Sequence, residues 1–583
     1  MQGIDFVQGS VSVTTHRDHD DLLSAGLGLA GLQGPLALFA DPQHPSVQEL
    51  RRRAIQTSWK GIADLGPLGG YGAVYGAVPD VPGREYQAFA KIPGAHAPHR
   101  VLLQVPDGFD KTHRCLVVTA SSGSRGIYGA MALAGAWGLP RGCAVAYTDK
   151  GTGSGYFDFS DDSGVALDGQ RAKRGTAMLE FEPPASTGEG IAIKHAHSGD
   201  NPEADWGRHV LQAAQFGLAM LDRAFPDHAP FTPQNTKIIA TGLSNGGGAV
   251  LQAAGIDDQH MLAGVVALEP NVHTPDHGRA LYDYMTEAAQ WLPCVLVDAR
   301  FASTPFARDA HGAPHAAWVA RCASLHAQGK LKAATLEGQA AEAYEHLRST
   351  GWTEQAMATA ASSTALDLWR AIGAAYASAY LRRSADDMPC GYRYEATGAN
   401  GKPGTTDEAT RASWWAEASG IPPGNGVGLF GGTDGSTDPQ LVGIEYLRSF
   451  WTGDDANARA LQASVQALAV RLPRKDLPLW VLHGADDGLL PTAFTSEPYV
   501  AWLRAEGRQP LYWKVPRAQH FDAFLALPGF GDKHLPLLPY GYAALDRLWA
   551  HFYQGQPWPT ELPTPAGMPR DADVLKAEML DLQ

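Results

Sequence analysis

Residues 237–249 read Lys237-Ile238-Ile239-Ala240-Thr241-Gly242-Leu243-Ser244-Asn245-Gly246-Gly247-Gly248-Ala249. A short apolar strand run, Lys237–Ala240, leads straight into Gly242-Leu243-Ser244-Asn245-Gly246, a match to G-x-S-x-G, and small residues then open a helix over 247–254. Five residues make a weak pattern by themselves, and an ordinary glycine-rich strand–helix turn is the bland alternative. Context favours the chemical reading. A serine on a sharp strand-to-helix turn has its hydroxyl pushed outward, and small flanking residues let strand and helix approach each other. Ser244 is therefore the expected nucleophile.

Outward from this turn the chain alternates between strand-like and helix-like segments. Arg100–Val105, Cys115–Ala120 and Cys143–Thr148 are apolar strand runs; Asp205–Phe225 has the 3–4 spacing of an amphipathic helix; Gly264–Leu268 is strand again. After Pro270 the pattern changes. From about 275 to 470 the chain is Ala-rich and helical, including Ala356–Leu381, with Gly/Pro/Thr-rich stretches at 398–406 and 421–437. Alternation resumes with strand Leu477–His483, a helix near 492–506, strand Leu511–Val515 and a last helix near 540–552. This order predicts an α/β-hydrolase fold with a mainly parallel central sheet and a large helical lid insertion. The expected division is 1–95 as an N-terminal wrapping segment, 96–274 with 471–583 as the catalytic domain, and 275–470 as the lid.

Composition narrows the function classes. The 583 residues carry 46 Lys and Arg against 61 Asp and Glu, a net charge of -15, which argues against a nucleic-acid partner. No apolar run reaches the length of a membrane span. At 44% hydrophobic and 18% charged residues the chain has enough apolar material to fold. Five cysteines make no disulfide framework: Cys115 and Cys143 read as small buried hydrophobes, and Cys294, Cys322 and Cys390 leave room for one pair that spacing does not choose. The start, Met1 to Phe6, has neither a basic nor an apolar leader region, so a cytoplasmic protein is expected as written, secreted or periplasmic if a leader was removed.

A nucleophilic serine needs a base, and the base needs an acid to orient it. In this fold both follow the serine, each at the C-terminal end of a strand. The strand at 477–483 leads into His483-Gly484-Ala485-Asp486-Asp487, and the strand at 511–515 into Pro516-Arg517-Ala518-Gln519-His520. The acid is assigned as Asp487, with Asp486 and Glu269 as rivals, and the base as His520; His483 is read as ordering the acid loop. For the oxyanion hole the expected donors are the amide of Asn245 and one from the loop Ser121–Gly126, either Ser124 or Arg125. Arg125 could instead clamp a substrate carboxylate or stand in solvent. Ser122, Gly123 and Lys150 are candidate substrate contacts, and the loop Asp149–Tyr156 a wall of the mouth. His195 and His197 with Asp200 read as a polar loop inside an insertion, not a metal site. Trp318, Trp352, Trp369, Trp414 and Trp415 fall in the helical insertion, and one or two of them are expected to touch substrate.

Four segments carry a resemblance: Asp20–Gly28, Ser121–Ala130, Thr148–Tyr156 and Gly242–Gly248. Through them the chain resembles the D-(-)-3-hydroxybutyrate oligomer hydrolases, α/β-hydrolase relatives that cleave short soluble oligomers of 3-hydroxybutyrate to monomer. The resemblance implies that activity, with Ser244 as nucleophile and a small oligoester as partner; Asp487 and His520 rest on the residues alone. Many members of that family carry a leader that this sequence does not show. No metal or organic cofactor is required. Two other readings stand beside it: an esterase for feruloyl- or tannin-type aromatic esters, and a binding protein on a hydrolase scaffold, the latter disfavoured because all three catalytic positions are filled.

Overall fold

The computed structural model describes residues 3–123, 125–183, 188–398, 401–417, 426–570 and 574–582. Its centre is a nine-stranded sheet. The strands are β1 (Val7–His16), β2 (Gly83–Ala90), β3 (His99–Pro106), β4 (Cys115–Ala120), β5 (Ala144–Thr148), β6 (Lys237–Leu243), β7 (Leu262–Leu268), β8 (Leu479–Gly484) and β9 (Leu511–Val515). Their spatial order is β1-β2-β3-β5-β4-β6-β7-β8-β9. From β5 to β9 every neighbour is parallel, while β1, β2 and β3 pair antiparallel at one edge. This is the α/β-hydrolase arrangement, with the crossover of β4 and β5 placing β6 near the middle.

The apolar runs form strands because both sheet faces are covered, so residues of either parity find a core. Leu116, Val118, Ile238, Ala240 and Val265 point into one cluster with α2 (Pro202–Ala224) and α3 (Asn245–Ile256). Val117, Val145, Ile239 and Val266 point into the other, with α1 (Val47–Ile62) and α6 (Leu538–Tyr553). Between β7 and β8 the chain runs through helices that include α4 (Leu281–Val295) and α5 (Leu368–Tyr380), with a two-stranded sheet of Arg393–Ala396 and Val427–Phe430.

Several expectations need correction. The first 95 residues do more than wrap, since β1 and β2 extend the central sheet. β1 lies at the edge with many half-exposed or exposed residues and a register shift between Gln8 and Ser12, so it has no continuous apolar run to betray it. The helical stretch read over 356–381 is built of three helices, Glu354–Thr359, Ala361–Ala365 and α5. The Ser362 and Thr364 hydroxyls donate back to carbonyls, and Asp367 turns left-handed at φ 54°. Residues 156–193 build a separate four-stranded sheet from pieces of three residues each, too short for periodicity to show. Cys115 and Cys143 are buried but bonded to each other: neighbouring parallel strands bring their Cα atoms to 4.7 Å. A second bridge joins Cys294 to Cys322 between α4 and the helix Ala316–Ala327, leaving Cys390 as a free thiol.

Candidate active site

Ser244 sits between the end of β6 and the start of α3 with φ 57° and ψ -125°. A non-glycine residue pays roughly 1–3 kcal/mol for such a conformation, so the surroundings must enforce it. Its own backbone is clamped: the amide donates to Leu268 O at 3.0 Å and the carbonyl accepts from Asn271 N at 3.0 Å. The flanking glycines are there for closeness. A Cβ on Gly242 would lie 2.4 Å from Gly246 O, and one on Gly246 would lie 2.3 Å from Ala120 O. The turn predicted from the sequence can close only with these residues absent of side chains.

The structure brings three of the predicted side chains together. His520 Nε2 lies 3.0 Å from Ser244 Oγ, and His520 Nδ1 lies 2.7 Å from Asp487 Oδ2. All three are buried. Asp487 accepts four hydrogen bonds. Oδ1 takes the amides of Leu489 and Leu490, each at 2.8 Å, and Oδ2 takes His520 and, at 3.1 Å, His483 Nε2. Burial alone would raise this carboxyl, but the facing His520 and the two imidazole hydrogen bonds outweigh it and hold it well below the usual carboxylate range. Since His483 Nε2 donates to Asp487, its Nδ1 accepts from Ser496 Oγ at 2.7 Å, and Ser496 in turn accepts from Tyr512 OH at 3.0 Å. His483 thus orders the acid, as its place in the loop suggested.

Neither rival acid takes the place of Asp487 on His520 Nδ1. Asp486 lies 3.4 Å from His534 Nδ1. Glu269, just past β7, is buried with φ 31°, and its Oε2 has no hydrogen-bond partner among the described residues. Burial, then the nearby Asp487 and Asp522, push its carboxyl well above the ordinary range.

Ser244 opens onto a cleft. Leu281, Leu368, Ile372, Leu489, Leu490 and Phe521 give it apolar walls, and Ser122, Gly123, Arg125, Thr152, Asn245 and Tyr376 also line it. The Asn245 amide opens α3 and has no carbonyl four residues back to accept it, so it is available to a ligand. Of the two candidates for a second donor, Ser124 lies outside the described residues. The Arg125 amide is already committed to Ser122 O at 2.9 Å, which corrects its assignment as an oxyanion donor.

The chain matches the 3HB-oligomer hydrolase (3HBOH) family over residues 4–578. It belongs to that family. The D-(-)-3-hydroxybutyrate oligomer hydrolase of Paracidovorax citrulli is 38% identical across 93% of this chain and 86% of that one. The protein of the same name from Cupriavidus metallidurans is 35% identical across 95% and 85%. Among solved structures, the tannin acyl hydrolase of Aspergillus niger aligns over 83% of this chain and 80% of its own at 14% identity, with a TM-score of 0.38, too slight a likeness to bear on substrate.

The family segment Thr148–Tyr156 meets the cleft through Thr152, but Lys150 does not reach it. Lys150 is buried against Glu203, with its ammonium 5.5 Å from the Tyr376 ring centre, so it is no substrate contact in this structure. His195 and His197 are equally buried, in a short helix rather than an open loop; His195 Nε2 lies 2.7 Å from Glu203 Oε1. Asp200 instead accepts from the His96 and Ala97 amides. None of the five tryptophans lines the cleft; all are buried, Trp352 edge-on to Trp369 within the helical region, while Trp414 packs on Tyr156 and Trp415 on Arg100. The residue that sequence reasoning missed is Tyr376, whose hydroxyl accepts from Asn245 Nδ2 at 2.7 Å. The spacing Leu368, Ile372, Tyr376 puts three cleft residues on one face of α5, a signal carried by the i, i+4, i+8 pattern.

Proposed function

We propose that this chain is a serine esterase that hydrolyses the ester bonds of short 3-hydroxybutyrate oligomers to the monomer through an acyl-enzyme intermediate. The observation that carries the chemistry is Ser244 Oγ at 3.0 Å from His520 Nε2 on the cleft wall, with Asp487 behind the imidazole. The substrate class follows from relatives at 38% and 35% identity that carry the oligomer-hydrolase name.

With His520 Nδ1–H donated to Asp487, Nε2 is the lone-pair nitrogen and takes the Ser244 proton as Oγ attacks the ester carbonyl. The oxyanion forms at the N-terminus of α3, where the Asn245 amide and the helix dipole meet it, beside the Ser122–Gly123 turn. Each such donor is worth about 2.7–4 kcal/mol in comparable sites. The imidazolium then protonates the departing hydroxyl oxygen of the next unit. Water, activated by the same nitrogen, repeats the attack and frees the acid and Ser244. The apolar walls suit the methyl groups of the substrate. No step calls on a metal or an organic cofactor.

Two buried disulfides support an oxidising compartment as the place of action, against the cytoplasmic expectation. The test of the function is product analysis from 3-hydroxybutyrate trimer. Native protein should yield monomer, and Ser244→Ala should lose at least ~10³-fold in rate. Trimer left intact while methyl ferulate is cleaved would replace the substrate assignment.

A further inference from the structure

We propose that the hydroxyls of Ser122 and Thr152 form a subsite for the oxygen on the third carbon of the acyl unit, so that the cleft selects 3-hydroxyacyl esters over plain acyl esters. The inference rests on the function proposed above and adds which part of the substrate is read, and by which residues.

Six apolar side chains wall the cleft, and the polar side chains closest in chain to the nucleophile are already committed. Ser244 Oγ is bonded to His520, the Tyr376 hydroxyl accepts from Asn245 Nδ2, and Asn245 Oδ1 accepts from Asn271 Nδ2. Ser122 and Thr152 differ. They line the cleft at 1% and 2% exposure, yet neither Ser122 Oγ nor Thr152 Oγ1 has a hydrogen-bond partner among the described residues. Buried hydroxyls are nearly always bonded, so two orphans on the wall of an apolar cleft mark a place where a ligand oxygen completes them. The loops that carry them are held. Ser121 N donates to Thr148 O at 2.9 Å, tying the loop after β4 to the end of β5. Gly151, beside Thr152, has φ 69°, a left-handed backbone that favours glycine, and a Cβ there would lie 2.1 Å from Lys194 Cε.

The order of strands decides which part of the substrate these hydroxyls meet. Ser244 follows β6. Ser122 and Thr152 follow β4 and β5 on one flank of it, while Asp487 and His520 follow β8 and β9 on the other. His520 gives its proton to the leaving oxygen, so the departing alcohol lies on the His520 flank. The acyl chain then extends across Ser244 toward the ends of β4 and β5. A 3-hydroxybutyryl chain carries one oxygen beyond its carbonyl, and that atom is what a butyryl chain lacks. Serine and threonine hydroxyls both donate and accept, so the pair meets a free 3-hydroxyl in either sense. A plain acyl chain in the same place leaves both buried hydroxyls unpaired, and this penalty is what gives a polar site its selectivity.

The test compares the ester dimer of 3-hydroxybutyrate with 3-butyryloxybutyrate, which has the same leaving alcohol and lacks only the acyl hydroxyl. For native protein kcat/KM should favour the dimer at least ~10-fold. Thr152→Val keeps the shape and removes the hydroxyl; it should cut that preference at least about threefold, through a loss on the dimer alone. Thr152→Ser should retain the preference. Adding Ser122→Ala to Thr152→Val should bring the two substrates to within about threefold of each other. Native protein that cleaves the trimer but turns over the dimer and its deoxy analogue alike, or neither, overturns the subsite and leaves the proposed function standing. A Thr152→Val variant that lowers both substrates equally overturns it too. Native protein that leaves the trimer intact overturns the function, and the subsite with it.

Discussion

One carboxylate oxygen, Asp487 Oδ2, receives two imidazoles, and that sharing defines what each residue contributes. The backbone amides of Leu489 and Leu490 occupy the other oxygen, so the orientation of the carboxylate is fixed from two sides. Asp487→Asn should cost about 10³–10⁴-fold in kcat with the fold intact, because an amide cannot hold His520 in the tautomer that leaves Nε2 bare. His483→Phe should cost roughly 10–100-fold in kcat with KM little changed, and His483→Gln should recover part of it. The pH profile separates this from mere disorder. A carboxylate that loses one donor accepts more strongly from His520, so the acid limb of kcat/KM should move upward in pH for His483→Phe. An unmoved limb would rule out a role through Asp487. The meeting of Ser244, His520 and Asp487 was legible because each follows a recognisable strand run. The role of Arg125 was not, since sequence does not show that its amide is committed to Ser122 O.

At the scale of elements, α5 and the end of β7 each place a buried residue near the site, Tyr376 and Glu269. Tyr376 on α5 is the hydroxyl that fixes the side chain of Asn245, while Asn271 Nδ2 donates to the Asn245 Oδ1. Removing that hydroxyl in Tyr376→Phe should lower kcat about 5–10-fold, the worth of one buried hydrogen bond; an unchanged kcat would show that Asn271 suffices. Glu269 ends β7 as a buried acid whose proton affinity is raised in the folded chain. The folded chain therefore gives up this proton at a higher pH than the unfolded chain, whose ordinary carboxyl titrates at about 4.3. Stability from this group is complete below ~4.3 and falls as pH rises toward the folded value. Glu269→Gln, which mimics the protonated form, should raise Tm over native protein increasingly from pH 5 to pH 8; parallel curves would refute this. Long apolar strands such as β4, β6 and β8 could be read directly. The edge strand β1 and the three-residue strands of 156–193 could not, because half-exposed or very short pieces leave no alternation to count.

For the whole molecule, a mainly parallel sheet interrupted by a helical insertion followed from the sequence once Gly242–Gly246 was placed between a strand and a helix, whereas the exchange of β4 and β5 in space did not. Cysteine pairing did not follow, since only the register of β4 on β5 shows that residues 115 and 143 are neighbours. Each bridge closes a segment with a sequence separation of 28. Loops of that size correspond to about 3–4 kcal/mol of restricted unfolded-state freedom apiece. Denatured protein prepared without reductant should therefore show one reactive thiol, Cys390, of the five cysteines, and reductant should lower Tm by several degrees. Five reactive thiols would remove the case for an oxidising compartment.

The cleft draws its reactive floor from the ends of sheet strands and much of its ceiling from a single face of α5, Leu368, Ile372 and Tyr376. Diet and chemistry are thus written on different parts of the molecule. A lineage can trade one ester for another by rewriting a few roof positions on one helix while the serine keeps its strained perch. Engineers seeking new polyesters to digest have the same short stretch to edit, with Tyr376 as the one roof residue that also answers to the machinery below.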